Sequence, residues 1–335
     1  MLRILLDVPL GDAVRALEAL PGVKLLTPPS HEREWDLPDD LLDDPEVLLC
    51  RMPPRNLRAM TSLKFVQLTS VGYEHLRDFA LADAPFRVCN ARGVFDTAIA
   101  EWCVAMMINL TRDLPSTMRN QQAAKWERGE RFAREVRGRT VGLWGYGGIG
   151  RETARLARAL GMSIHALTRS GVKPRVNTCV QTGTGDPEGV LPARVFLAGQ
   201  ERAFLSGLDF LVLALPHTKH SDGGVGEAEL RALPPTAYLL NPARGPIVQE
   251  QALVRALSEG WLAGAALDAH FAYPLPAEHP LWRLPNVILT PHVSGSDRSK
   301  DFPARMADLL AQNVARWQEG RPLLNEITSS EWREI

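Results

Sequence analysis

Val141-Gly-Leu-Trp-Gly-Tyr-Gly-Gly-Ile-Gly150 is the stretch from which the rest of this chain is read. Its apolar start predicts a short β-strand, a glycine turn follows, and residues 151–160 carry a helical pattern. Gly145 can make the tight turn, Gly147 lets backbone approach a pyrophosphate, and Gly150 allows a helix to pack closely on the strand. The helix N-terminus, with Gly148 and Ile149 in the same turn, would offer N–H groups and the positive end of its dipole to the anion. A GxGxxG alone is a weak signal. Strand, turn and helix in that order make it an expectation of dinucleotide binding.

A length of 335 residues suggests two domains, each with room for its own core. The composition, 45% hydrophobic and 23% charged, is that of a globular protein, and a net charge of −1 gives no reason to expect nucleic acid or an anionic membrane as partner. Cys50, Cys89, Cys103 and Cys179 lie far apart and form no CxxC pair, which predicts buried thiols in a reducing cytoplasm rather than a disulfide framework. No histidine and cysteine spacing suggests a metal site. Residues 1–8 read as a first strand rather than a signal core, and charges interrupt every apolar run before membrane-spanning length. The expected location is the cytoplasm.

Short apolar runs at 3–8, 46–51, 64–69 and 86–90, with a helical pattern over 12–19, predict a small parallel sheet flanked by helices. A long apolar helix follows at 97–110, then a polar connection over 111–139. Beyond it, strands are predicted at 140–144, 163–167, 210–214, 237–241, 264–268 and 287–290, with helices at 151–160, 227–232 and 250–259. Residues 305–319 form an amphipathic helical pattern. Residues 171–191 make a long Gly-, Pro- and Thr-rich excursion, a length that in a compact domain marks function or mobility.

Four segments downstream of the glycine turn agree with one another. Pro216 and Thr218 follow one strand, Asn241-Pro-Ala-Arg-Gly245 follows another, Asp268 ends a third, and Thr290-Pro-His-Val-Ser-Gly295 follows a fourth. Strand carboxyl ends of an open parallel sheet meet at one crevice. Arg244, Asp268 and His292 are therefore expected to converge. Taken singly, Arg244 reads equally as a surface ion-pair residue, His292 as a turn histidine and Asp268 as a cap; together with the glycine turn they read as a site.

These segments, with Ser70-Val-Gly-Tyr-Glu-His75 and Ala100-Glu-Trp102, resemble the D-isomer-specific 2-hydroxyacid dehydrogenases, a family that includes glyoxylate/hydroxypyruvate reductases and phosphoglycerate dehydrogenases. The resemblance runs from about residue 46 to 327 in the family's order. It implies two doubly wound parallel-sheet α/β domains, a Rossmann nucleotide-binding domain (113–294) inserted into a flavodoxin-like substrate domain (1–112 and 295–335). It also implies a homodimer formed through the nucleotide-binding domain.

By the same resemblance Arg244 would bind the substrate carboxylate and polarise the keto oxygen, a task for a planar, forked cation. His292 would exchange a proton with that oxygen, since imidazole serves as acid and base near neutrality. N–H groups of Val71 and Gly72 would clasp the carboxylate. Asp268 would orient the nicotinamide carboxamide, and Pro216, Thr218, Ala243 and Gly295 would line the cofactor cleft. Arg51 is a further candidate for the substrate, although a charge ending a strand is usually solvated. His217, His220 and His270 read as cleft-edge or surface residues.

Two departures from the family pattern matter. Where an acidic residue normally binds the adenosine ribose, eighteen positions past Gly150, the chain has Thr168, followed by Arg169 and Ser170. An arginine with adjacent hydroxyls attracts a 2′-phosphate through charge-assisted hydrogen bonds, so NADP(H) is expected over NAD(H), with Lys173 and Arg175 adding positive charge. The other reading has Arg169 stacked on the adenine with little discrimination. Second, the family glutamate that pairs with the catalytic histidine is replaced by Tyr273. A carboxylate favours imidazolium, whereas a hydroxyl brings no charge. The main reading is an NADP(H)-dependent oxidoreductase acting mainly in reduction of a small 2-keto acid such as glyoxylate or hydroxypyruvate. The alternative is an NADP(H)-binding sensor or corepressor-like protein with weak turnover. A third, oxidation of another small anion such as phosphite or formate, would require different pocket packing.

Overall fold

The computed structural model describes residues 1–31 and 34–335, and the chain divides into two compact units. One comprises Met1–Phe95, Val176–Cys179 and Ser296–Ile335; the other comprises Asp96–Arg175 and Val180–Gly295.

In the first unit, strands β1 (Leu2–Leu6), β2 (Val23–Leu26), β3 (Val47–Cys50), β4 (Phe65–Leu68) and β5 (Arg87–Cys89) are all parallel, in the order β2-β1-β3-β4-β5. This is the flavodoxin-like order. β3 and β4 are buried at every position, so they read as unbroken apolar runs apart from Gln67. β2 is legible only in the structure: it is an edge strand that buries little and exposes Lys24. The helix predicted over 12–19 is a 3-10 turn, Gly11–Val14, running into a single α-turn, Arg15–Glu18. Leu48, Leu68 and Leu76 centre the core, which the chain's end closes with Ile327, Trp332 and Ile335.

In the second unit, β6 (Thr140–Trp144), β7 (Ser163–Thr168), β8 (Arg194–Leu197), β9 (Phe210–Leu213), β10 (Tyr238–Asn241), β11 (Gly264–Leu267) and β12 (Val287–Leu289) form one parallel sheet in the order β12-β11-β10-β9-β6-β7-β8. This is the Rossmann order, with its switch point between β6 and β9. The boundary is expected after residue 112; the second compact unit begins at Asp96. The helix Asp96–Thr111 packs its Ala100, Cys103 and Met107 face on the helix Gly148–Ala159 and so belongs with the second unit. The polar connection expected over 111–139 contains a further helix, Leu114–Gln122, whose N-cap Asp113 accepts a hydrogen bond from the Ser116 N–H. Proline in the first turn and this cap are local start signals in a segment without an apolar stripe.

The four cysteines are buried free thiols, and burial pushes the Cys103 thiol up to about 12. Among the described residues, no helix is long and apolar enough to cross a membrane, and no group of three or more His, Cys, Asp or Glu is placed to hold a metal ion.

Candidate active site

The glycine turn gives each glycine a separate reason. Gly145 has φ +98°, and a Cβ there would strike the Ala214 carbonyl beyond β9. A Cβ on Gly150 would lie 2.5 Å from the carbonyl oxygen of Gly145, so helix and strand meet at a distance only glycine permits. Gly147, the N-cap of the helix Gly148–Ala159, has nothing within 4 Å of where its Cβ would be. That open backbone at a helix N-terminus fits a dinucleotide pyrophosphate. Gly148 differs: a Cβ there would strike Asp96 Oδ2 and lie 2.9 Å from Arg175 Nη1.

β7 ends at Thr168, whose hydroxyl is buried without a hydrogen-bond partner; Arg169 and Ser170 follow, both exposed. The expectation that Arg175 adds positive charge here is corrected. Its guanidinium turns back to Asp96, 3.6 Å away, with both side chains 11% exposed. The excursion over 171–191 is anchored on the fingerprint itself. Asp186 accepts hydrogen bonds from the N–H groups of Gly189, Val190 and Leu191 and from the Tyr146 hydroxyl at 2.7 Å. Arg151, buried directly after the last fingerprint glycine, donates to the carbonyls of Tyr146, Asp186 and Lys173. Burial alone would raise the Asp186 carboxyl, but these N–H and O–H donors hold it below the ordinary carboxylate range. Burial, with Asp186 beside it, pushes the Tyr146 phenol well up. Sequence reading passed over this anchor because Tyr146 and Arg151 look like spacer and solvent residues of the motif.

Because β9 to β12 are adjacent and parallel, the loops after them share one edge. After β9, Ser221 ties the turn by donating to the Pro216 carbonyl and accepting from the Thr218 N–H, while His217 pairs with Asp222. After β10, Asn241 is buried. Its side-chain oxygen accepts from the Ala243 N–H and its amide donates to the Arg244 carbonyl, shaping the turn that carries Arg244. The Arg244 guanidinium is half-buried and donates to the Ala243 carbonyl. Gly245 allows this loop to lie against the backbone of His270 and Phe271, where a Cβ would strike the His270 carbonyl.

After β11 and β12 the structure links Asp268, Tyr273 and His292. Asp268 is fully buried, and its carboxylate accepts four hydrogen bonds, all from the His292 loop. They come from the Thr290 hydroxyl (2.5 Å), the Val293 N–H (2.8 Å), and the Ser294 N–H and hydroxyl (2.9 and 2.5 Å). Trp102 donates to the same Thr290 hydroxyl at 3.1 Å. His292 itself has φ +58°, a left-handed backbone that is uncommon outside glycine and persists only where its surroundings fix it. The resemblance placed Asp268 on the cofactor; in the structure a nicotinamide amide would have to share oxygens already used to hold this loop. The Tyr273 hydroxyl lies 2.9 Å from His292 Nδ1 and accepts the His270 N–H at 3.1 Å. His270 is a structural residue: its ring meets the Thr290 carbonyl at 2.7 Å. The His292 ring is exposed.

In the first unit, the 70–72 loop follows β4. Asn90 donates to the Val71 carbonyl and the Ser70 hydroxyl to the Gly72 carbonyl, a scheme that uses neither the Val71 nor the Gly72 N–H. Behind it stands a buried amide chain, Asn313 to Gln67 to the Asn90 carbonyl, which periodicity does not reveal. Arg51 is 75% exposed and ion-paired with Asp297 at 3.1 Å.

A family profile described as "D-isomer specific 2-hydroxyacid dehydrogenase, NAD binding domain" matches residues 104–294. A glyoxylate reductase of Thermofilum pendens is 31% identical over 281 residues, 81% of this chain and 78% of that protein. A solved D-isomer specific 2-hydroxyacid dehydrogenase from Xanthobacter autotrophicus, in complex with NADPH and MES, superposes with a TM-score of 0.80 at 23% identity, covering 98% of this chain and 99% of that one. An NADPH-dependent glyoxylate/hydroxypyruvate reductase of Sinorhizobium meliloti, in complex with citrate, has a TM-score of 0.72 at 28% identity over 98% and 99% of the two chains. This chain belongs to the D-isomer-specific 2-hydroxyacid dehydrogenase family and has that family's nicotinamide-dinucleotide fold.

Proposed function

We propose that the protein uses NADP(H) to reduce a small 2-keto acid of the glyoxylate or hydroxypyruvate type. The observation that carries this reading is His292, held in a left-handed turn by Asp268 and bonded through Nδ1 to Tyr273, at the same sheet edge as Arg244. Relatives named as glyoxylate and hydroxypyruvate reductases support the substrate class.

When bound, the nicotinamide supplies or accepts the hydride; the open Gly147 backbone, Gly148 and Ile149 would hold its pyrophosphate. Arg244 binds the substrate carboxylate and draws charge toward the keto oxygen. His292 gives that oxygen a proton from Nε2, and takes it back in the oxidative direction. For either role Nδ1 must keep its proton, so Tyr273 acts as acceptor, its oxygen taking N–H bonds from both His292 and His270. Exposed Met118 and Trp126 on the nucleotide unit support a homodimer through that unit.

Preference for NADP(H) rests on Thr168, Arg169 and Ser170 where an acid would stand. Parallel titration should show NADPH binding roughly tenfold to a hundredfold more tightly than NADH, the worth of charge-assisted hydrogen bonds to a phosphate. Arg169→Glu should abolish that gap. Tighter binding of NADH by the native protein would overturn the preference.

Tyr273 brings no charge to His292, so the imidazolium needed for reduction is lost at lower pH than it would be beside a carboxylate. Tyr273→Glu should move the alkaline fall of the reduction rate upward by about one to two pH units. A profile that stays in place, with hydride transfer rate-limiting, would contradict this role.

A further inference from the structure

In the first unit, the loop after β4 is held by its carbonyls and leaves its N–H groups unused. The Val71 carbonyl accepts from the Asn90 side-chain amide at 2.9 Å, and the Gly72 carbonyl accepts from the Ser70 hydroxyl at 2.8 Å. In a trans peptide the N–H points opposite to the C=O of the same plane. The Asn90 bond therefore turns the Gly72 N–H away from the buried Asn90 side chain. The Ser70 bond fixes the next plane, so Gly72, the residue type with the most backbone freedom, is locked on both sides. Its N–H has no protein partner among the described residues.

Asn90 is itself immobilised. Its backbone N–H donates to the Asn325 carbonyl at 3.1 Å, and its own carbonyl accepts from the side-chain amides of Gln67 and Asn325, both at 3.1 Å. Its side-chain oxygen accepts the Arg92 N–H at 3.3 Å. With an N–H on one side and a carbonyl on the other, the side-chain amide fits in one orientation only. Asn313 holds Gln67 in turn, at 2.9 Å. All four amides are buried, where a fully matched network rigidifies its surroundings and an unmatched group is costly.

Resting on the 2-keto-acid reading above, we propose that Asn90 and Ser70 are positioning residues for the substrate: they hold Gly72 between two fixed peptide planes and so aim its N–H at the substrate carboxylate. A carboxylate is the acceptor such a donor favours, through a charge-assisted hydrogen bond. The contact is made away from the reacting carbon, so it serves ground state and transition state alike. Its loss raises KM and leaves kcat in place.

Steady-state reduction of glyoxylate and hydroxypyruvate is measured at saturating NADPH on the full-length native protein, Asn90→Ala, Ser70→Ala and Ser70→Thr. NADPH affinity is read by fluorescence titration, with thermal melting as the folding control. Asn90→Ala should raise KM about tenfold and Ser70→Ala about threefold to tenfold, the worth of one orienting hydrogen bond. Neither should change kcat or NADPH affinity, and Ser70→Thr, which keeps the hydroxyl, should recover the native KM. Unchanged KM in the folded alanine variants would overturn the proposal. So would KM, kcat and NADPH affinity that worsen together with the melting temperature, the mark of a purely structural tie. Should Asn90→Ala fail to fold, Ser70→Ala at its half-buried position decides alone. A native protein that binds NADPH but reduces neither acid would sink the substrate reading, and the proposal with it.

Discussion

His292→Ala should lower keto-acid reduction about 10²–10⁴-fold, the usual contribution of a positioned acid–base group, while NADPH binding changes little. The ring is exposed and its bond to Tyr273 is made at its own Nδ1, so truncation removes the proposed proton donor without opening a core. The loop bonds that Asp268 accepts come from Thr290, Val293 and Ser294, not from the histidine side chain, and these survive the change. Turnover and cofactor affinity should therefore separate. Equal activity in the variant, measured with hydride transfer rate-limiting, would remove His292 from the chemistry.

Asp268→Ala should be the more damaging substitution for the fold. It strips the acceptor from two backbone N–H groups and two hydroxyls in a fully buried place. The hydroxyls can turn elsewhere, but the Val293 and Ser294 N–H groups cannot. At about 1–3 kcal/mol for an orphaned buried N–H, and less for the partly buried Val293 N–H, a loss of roughly 2–4 kcal/mol is expected. The left-handed His292 loses its clamp at the same time, so activity should fall together with stability. Urea unfolding reads the first effect, and amide exchange at 293 and 294 reads the second. A loss below about 0.5 kcal/mol, the scale of an ordinary surface change, would mean that Asp268 does not hold the loop.

Much of this site is legible in the sequence because strand ends are. Arg244, Asp268 and His292 each follow an apolar run, and adjacent parallel strands bring such positions to one edge whatever lies between them in the chain. The fingerprint glycines are legible for a similar reason: a positive φ at 145 and a close approach at 150 leave room for no other residue. What stays hidden is the target of each polar side chain. Nothing in the spacing of Asp268 says that its oxygens serve Thr290, Val293 and Ser294, and nothing in Arg151 says that it is a buried tie rather than a solvated helix residue. The same holds for the short edge strand β2, whose apolar run is broken by Lys24, and for Arg175, which sits in the excursion and pairs with Asp96 at the start of the helix Asp96–Thr111. Periodicity records which face is buried; partners across long sequence separations are fixed only by the folded backbone.

The most direct test of the central claim is consumption of NADPH by the native protein across a small panel of 2-keto acids that includes glyoxylate and hydroxypyruvate. Saturable oxidation of NADPH with at least one of them is the predicted result. Tight NADPH binding with no oxidation against any member of the panel would contradict it, and would leave Arg244 and His292 as parts of a cofactor sensor.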